Sequence, residues 1–83
     1  MYKVMIVDDE HIIRQGIVSL IDWNELGCEV VQEAADGNTA YAYLKEHQVD
    51  ILVCDIRMPG KSGLELAEVI QEEEMPVRTI LLT

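Results

Sequence analysis

Three carboxylates stand where two apolar stretches of this chain stop. The run Tyr2 to Val7 ends at Asp8 and Asp9, and the segment "ILVCDIRMPG" over residues 51–60 carries Asp55 just before a turn closed by Pro59 and Gly60. Carboxylates gathered in one place repel each other, and protonation or a cation relieves the repulsion. A hard divalent ion suits such oxygen donors. Magnesium binds through a couple of carboxylates, keeps several waters and takes further contacts from phosphate, so a shallow acidic crevice points to phosphate chemistry. With the charge neutralised, one carboxylate can attack phosphorus and form an aspartyl phosphate. Asp55 is the better nucleophile candidate because it stands alone at its strand end, whereas Asp8 and Asp9 form a pair suited to holding the ion. Arg57 offers its backbone carbonyl as a further metal ligand, and Pro59 with Gly60 fixes the adjoining turn.

Each of these residues also has a plain structural reading. Asp8, Asp9 and Glu10 suit the positive end of a helix dipole, and aspartate is common in turns such as the one after Asp55. Both features falling at two strand ends of one α/β pattern make coincidence a poor explanation. The remaining polar residues give no comparable constellation. His11 and His47 lack the partner spacing of a metal site, and Lys61 reads as solvated. Trp23 reads as a loop anchor and Met58 as packing. Glu72, Glu73 and Glu74 read as a solvated helix end, Asp50 as a solvated loop residue on the rim opposite Asp55, and Thr83 as an ordinary strand residue.

The elements that position the carboxylates follow from periodicity. Strands are expected at Tyr2 to Val7, Glu29 to Ala34, Val49 to Cys54 and Val77 to Thr83. Between them, helices are expected at His11 to Ile21, about Asn38 to His47 and about Gly63 to Glu74. The first helix carries Ile13, Gly16, Ile17, Leu20 and Ile21 at helical spacing, the second turns Ala40, Tyr43 and Leu44 inward, and the third Leu66, Ala67 and Ile70. Strands alternating with helices predict an α/β fold, an open doubly wound parallel sheet with helices on both faces. In such sheets ligands bind outside the carboxyl ends of the strands where strand order reverses. If the first and third strands are neighbours, about 4.8 Å apart, Asp8, Asp9 and Asp55 share that crevice.

Composition narrows the partners. Eighty-three residues suit one small domain with a modest core, and 49% hydrophobic with 27% charged residues is a globular composition. A net charge of -10 argues against direct nucleic-acid binding by this segment. No stretch resembles a signal peptide or membrane span, and Cys28 and Cys54 lack C-x-x-C spacing, so a cytoplasmic chain with reduced thiols is expected. A sheet that stops on an apolar fourth strand leaves an edge for pairing with another chain. A truncated domain, able to self-associate through that strand, is therefore expected.

The stretches "KVMIVDDE", "DILVCDIRMPGKSGLEL" and the terminal "TILLT" resemble the receiver domain of two-component response regulators, over the whole chain. The resemblance implies a flavodoxin-like receiver fold over residues 1–83, incomplete at about four strands and three helices. The family's fifth strand and helix, with a phosphoryl-contacting lysine and an aromatic switch residue, have no counterpart here. It further implies Asp55 as phosphoacceptor, Asp9 as a direct magnesium ligand, Asp8 as a ligand acting largely through water, Arg57 as a ligand through its carbonyl and Thr83 as the switch hydroxyl. A sensor histidine kinase is the implied phosphodonor. The loop "IDWNELGCEVV" looks like receivers joined to an AraC-type helix-turn-helix domain, which implies transcriptional control through a DNA-binding domain outside this chain. His11 stands where the family often has proline.

Two other functions compete. A magnesium-dependent phosphatase that works through an aspartyl phosphate places its nucleophile on the first strand and a general acid two residues later, but Glu10 and His11 occupy those places here. An interaction domain of receiver type that takes no phosphate is the other, and partner binding indifferent to phosphate and to Asp55→Asn would mark it.

Overall fold

A computed structural model describes residues 1–82. Seven elements alternate among the described residues: β1 (Tyr2–Val7), α1 (His11–Leu20), β2 (Cys28–Ala34), α2 (Gly37–Glu46), β3 (Ile51–Asp55), α3 (Gly63–Glu72) and β4 (Arg78–Leu82). The four strands form one parallel sheet in the order β2-β1-β3-β4. β1 and β3 are therefore neighbours, and strand order reverses between them.

Successive side chains of a strand face opposite sides of the sheet, and β1 uses this to build two cores. Met5 and Val7 join Leu52, Cys54, Ala40, Leu44, Leu66 and Ile70 under α2 and α3. Val4 and Ile6 join Cys28 and Val53 on the other face, against Ile17, Val18 and Trp23. Burial on both sides explains why β1 and β3 read as continuous apolar runs rather than alternating ones. Cys28 and Cys54 are buried free thiols belonging to opposite faces.

Local chemistry sets the helix ends. The Asp36 side chain accepts from the Thr39 N–H at 2.7 Å, which starts α2 and holds the Asp36 carboxyl below its ordinary pKa. Ser62 and Glu65 form a reciprocal capping box at the start of α3. At its far end the Met75 N–H donates to Ile70 O and the Glu74 N–H to Gln71 O, with Glu74 in the left-handed region at φ 52°.

Several expectations need correction. β3 begins at Ile51 rather than Val49 and includes Asp55, and the helix limits shift by one or two residues. The apolar stripe of α1 is only partly covered. Ile17 and Val18 pack on the sheet, while Ile13, Leu20 and Ile21 are exposed, because the sheet below α1 meets only one side of the stripe among the described residues. Asp50 is not simply solvated: its Oδ2 accepts from the Lys3 N–H at 2.7 Å, and its N–H donates to Lys3 O. Glu72, Glu73 and Glu74 form the solvated helix end expected, and Glu73 Oε2 there also accepts from the Tyr41 hydroxyl on α2. Trp23 is the loop anchor expected, with Nε1 donating to Ile17 O at 3.3 Å. His47 stacks on Tyr43, ring centroids 4.0 Å apart, and Lys61 Nζ lies 5.8 Å from the Tyr41 ring centroid.

Candidate metal centre

The carboxyl ends of β1 and β3 build the site. Val7 and Cys54 are the last register pair of β1 and β3, so the next residue on each strand, Asp8 and Asp55, lies at the same level just beyond it. One carboxylate oxygen from each of Asp8, Asp9 and Asp55 lies within 4.8 Å of the others. Asp8 is buried, Asp55 half-buried and Asp9 exposed, so the cluster opens to solvent at the carboxyl end of the two central strands.

Backbone groups aim these side chains. The Asp8 N–H donates to Ala34 O at 3.1 Å, extending the β1–β2 ladder by one bond. Its Oδ1 accepts from the Glu10 N–H at 2.9 Å. On the other strand, Asp55 Oδ1 accepts a longer bond, 3.3 Å, from the Arg57 N–H, which draws Arg57 back toward the site. Gly63 opens α3 directly against this turn. Its N–H donates to Ile56 O, and a side chain there would strike the carbonyl of Asp55, so only glycine lets α3 start so close.

Beneath the carboxylates lies Cys54. Burial pushes its thiol up to about 12, and the neighbouring charges of Asp55 and then Asp8 add to the shift. It is a neutral filler, not a nucleophile. Sequence reasoning passed over Arg14, which donates from Nη1 to the Asp8 carbonyl at 2.6 Å and pairs through Nε with Glu33 Oε1 at 3.1 Å. The structure therefore brings together Asp8, Asp9 and Asp55 with Arg57 beside them, leaves Asp50 on the opposite rim, and Thr83 lies outside the described residues.

The donor set fits magnesium. Ligands about 2.1 Å from the ion lie at most roughly 4.2 Å apart, so a three-carboxylate cluster of this span needs only a small closure or one bridging water. Hard oxygen donors with no nitrogen or sulfur among them exclude preference for a softer metal.

A family model for the response regulator receiver domain matches residues 4–83. A response regulatory protein of Staphylococcus epidermidis is 40% identical over 77 residues, 93% of this chain and 31% of that protein. The transcriptional regulatory protein YesN of Bacillus subtilis is 36% identical over 83 residues, all of this chain and 23% of YesN. The chain thus spans less than a third of the length of these relatives. Among solved structures, the REC domain of AraT from Geobacillus stearothermophilus superposes with a TM-score of 0.85 at 46% identity, covering 96% of this chain and 62% of that one. A two-component transcriptional regulator AraC from Clostridium phytofermentans gives 0.87 at 31% identity, covering 98% and 63%. With parallel strands in the order β2-β1-β3-β4 and an acidic cluster at the switch point, the chain belongs to the response regulator receiver family.

Proposed function

We propose that this receiver accepts a phosphoryl group on Asp55 from a phosphohistidine of a sensor histidine kinase, with magnesium held by Asp8, Asp9, Asp55 and the Arg57 carbonyl. The observation that carries the reading is the convergence of three carboxylates within 4.8 Å at the strand-order reversal. Magnesium, when bound, offsets the mutual repulsion of these carboxylates and the charge of the incoming phosphoryl group. A carboxylate oxygen of Asp55 attacks phosphorus; the O–P bond forms as the P–N bond breaks, and the histidine nitrogen leaves with the electron pair and takes a proton. Water later attacks the aspartyl phosphate, releasing inorganic phosphate and restoring the carboxylate.

In this reading Asp9, exposed at the mouth, is a direct ligand, and buried Asp8 acts largely through water. Thr83 supplies the switch hydroxyl by resemblance to the family. The chain is itself the substrate of the transfer, which makes it a regulatory module rather than an enzyme with an independent substrate. Residues 1–83 are read as the amino-terminal portion of a longer receiver, and the relatives support an output on transcription through a DNA-binding domain elsewhere in the protein. A cytoplasmic location fits this role; among the described residues no helix is long and apolar enough to cross a membrane. β4 forms an edge of the described sheet with Ile80 half-exposed, which supports self-association of this chain in isolation. Light scattering should then show a dimer, and a monomer would contradict that part.

Incubation with magnesium and acetyl phosphate tests the acceptor. Intact mass should rise by one phosphoryl group in the parent and not in Asp55→Asn; equal gain in both would overturn the assignment.

A further inference from the structure

Asp9 is the carboxylate of the cluster with least to hold it. It is exposed, and among the described residues no hydrogen bond reaches its side chain, so its aim depends on the backbone that carries it. That backbone begins at the Asp8 carbonyl, because the Asp8 C=O and the Asp9 N–H share one rigid peptide plane. Arg14 grips this carbonyl. Nη1 donates to Asp8 O at 2.6 Å, and Nε pairs with Glu33 Oε1 at 3.1 Å. Glu33 is in turn held by Gln15 Nε2 at 2.6 Å. Nη2 lies 3.2 Å from His11 Nδ1, also on the first turn of α1. The Arg14 side chain is 14% exposed, so the fork is largely shielded from water.

We infer that Arg14 is a positioning residue for the candidate metal centre: its guanidinium ties the Asp8–Asp9 peptide to α1 and to Glu33 on β2, fixing the direction in which the acidic pair meets a cation. This rests on the metal-binding reading above. A planar fork can serve the carbonyl and the carboxylate at once, whereas an ammonium is a point charge that cannot hold two acceptors in fixed directions. Charge alone would act the other way, since a positive group beside a cation site weakens cation binding. The sign of the mutational effect therefore separates positioning from electrostatics.

The test is calorimetric titration of the chain, of Arg14→Lys and of Arg14→Gln with magnesium chloride, together with amide hydrogen exchange at Glu10 in metal-free protein. Positioning predicts that both variants bind magnesium about tenfold more weakly, the scale of lost outer-sphere support. It also predicts faster exchange at Glu10, whose N–H donates to Asp8 Oδ1. Tighter binding by Arg14→Gln with parent-like Arg14→Lys would overturn the inference in favour of simple charge. Unchanged affinity with a lowered melting temperature would overturn it in favour of a purely structural role. No binding by the parent itself would remove the metal-binding reading and this inference with it, whereas parental binding with unaffected variants would remove the inference alone.

Discussion

Val7 and Cys54 are register partners across parallel strands β1 and β3, and both point into the core shared with α2 and α3. The pairing has two consequences. The residue after each, Asp8 and Asp55, emerges at the carboxyl rim, so the acidic crevice is a product of strand register. Cys54 itself is sealed beneath that crevice, next to charges that disfavour its thiolate.

Cys54 should therefore be inert in the folded chain, because the thiolate is the reactive form. Iodoacetamide near neutral pH should label it only after unfolding; labelling of native protein at the rate of an exposed thiol would contradict its burial. The same shift links stability to pH. The folded thiol ionises at about 12 against an ordinary value of 9.0, so its contribution is intact below 9.0 and is lost as pH rises toward 12. Denaturant midpoints should fall over that window, and less so in Cys54→Ala.

Gly37 is where α2 meets the turn that follows β3. A side chain there would strike the backbone carbonyl and Cβ of Lys61, which cannot swing aside as a flexible side-chain tip can. Gly37→Ala should cost about 1–2 kcal/mol despite the better helix propensity of alanine, as overpacking against backbone does. Urea denaturation reads the effect, and an unchanged or raised midpoint would contradict the close approach.

Glu74 ends α3 in the left-handed region, at φ 52°, a conformation that suits glycine. It also puts a carboxylate at the negative end of the helix dipole. Glu74→Gly should stabilise the chain by roughly 1 kcal/mol, the scale of the steric penalty removed. A lowered thermal midpoint would show that α3 does not end this way.

The legible parts of this molecule were the local ones. Short apolar runs and helical spacing located the seven described elements, and strand polarity put Asp8, Asp9 and Asp55 on one rim. Helical periodicity identified the α1 stripe but could not say how much of it the sheet would cover, since coverage depends on neighbours and not on spacing. Partners far apart in the chain were equally illegible. Asp50 meets Lys3 across 47 residues, Tyr41 meets Glu73 across 32, and Arg14 meets Glu33 across 19. Each residue taken alone reads as a solvated charge or a packing aromatic, and only the assembled fold gives it a partner. Gly63 opening the helix after the turn was visible, but its contact with the Asp55 carbonyl was not.

In the proposed function, Asp55 is the residue that receives the phosphoryl group. Aspartyl phosphates are acyl phosphates, which hydroxylamine cleaves to leave a hydroxamate on the acceptor. The decisive measurement is tandem mass spectrometry of two tryptic peptides, residues 4–14 with Asp8 and Asp9 and residues 46–57 with Asp50 and Asp55, after treatment with magnesium, acetyl phosphate and hydroxylamine. A magnesium-dependent hydroxamate is expected on Asp55 and none on Asp50. A hydroxamate on Asp50, on Asp8 or Asp9, or formed equally without magnesium, would contradict the assignment.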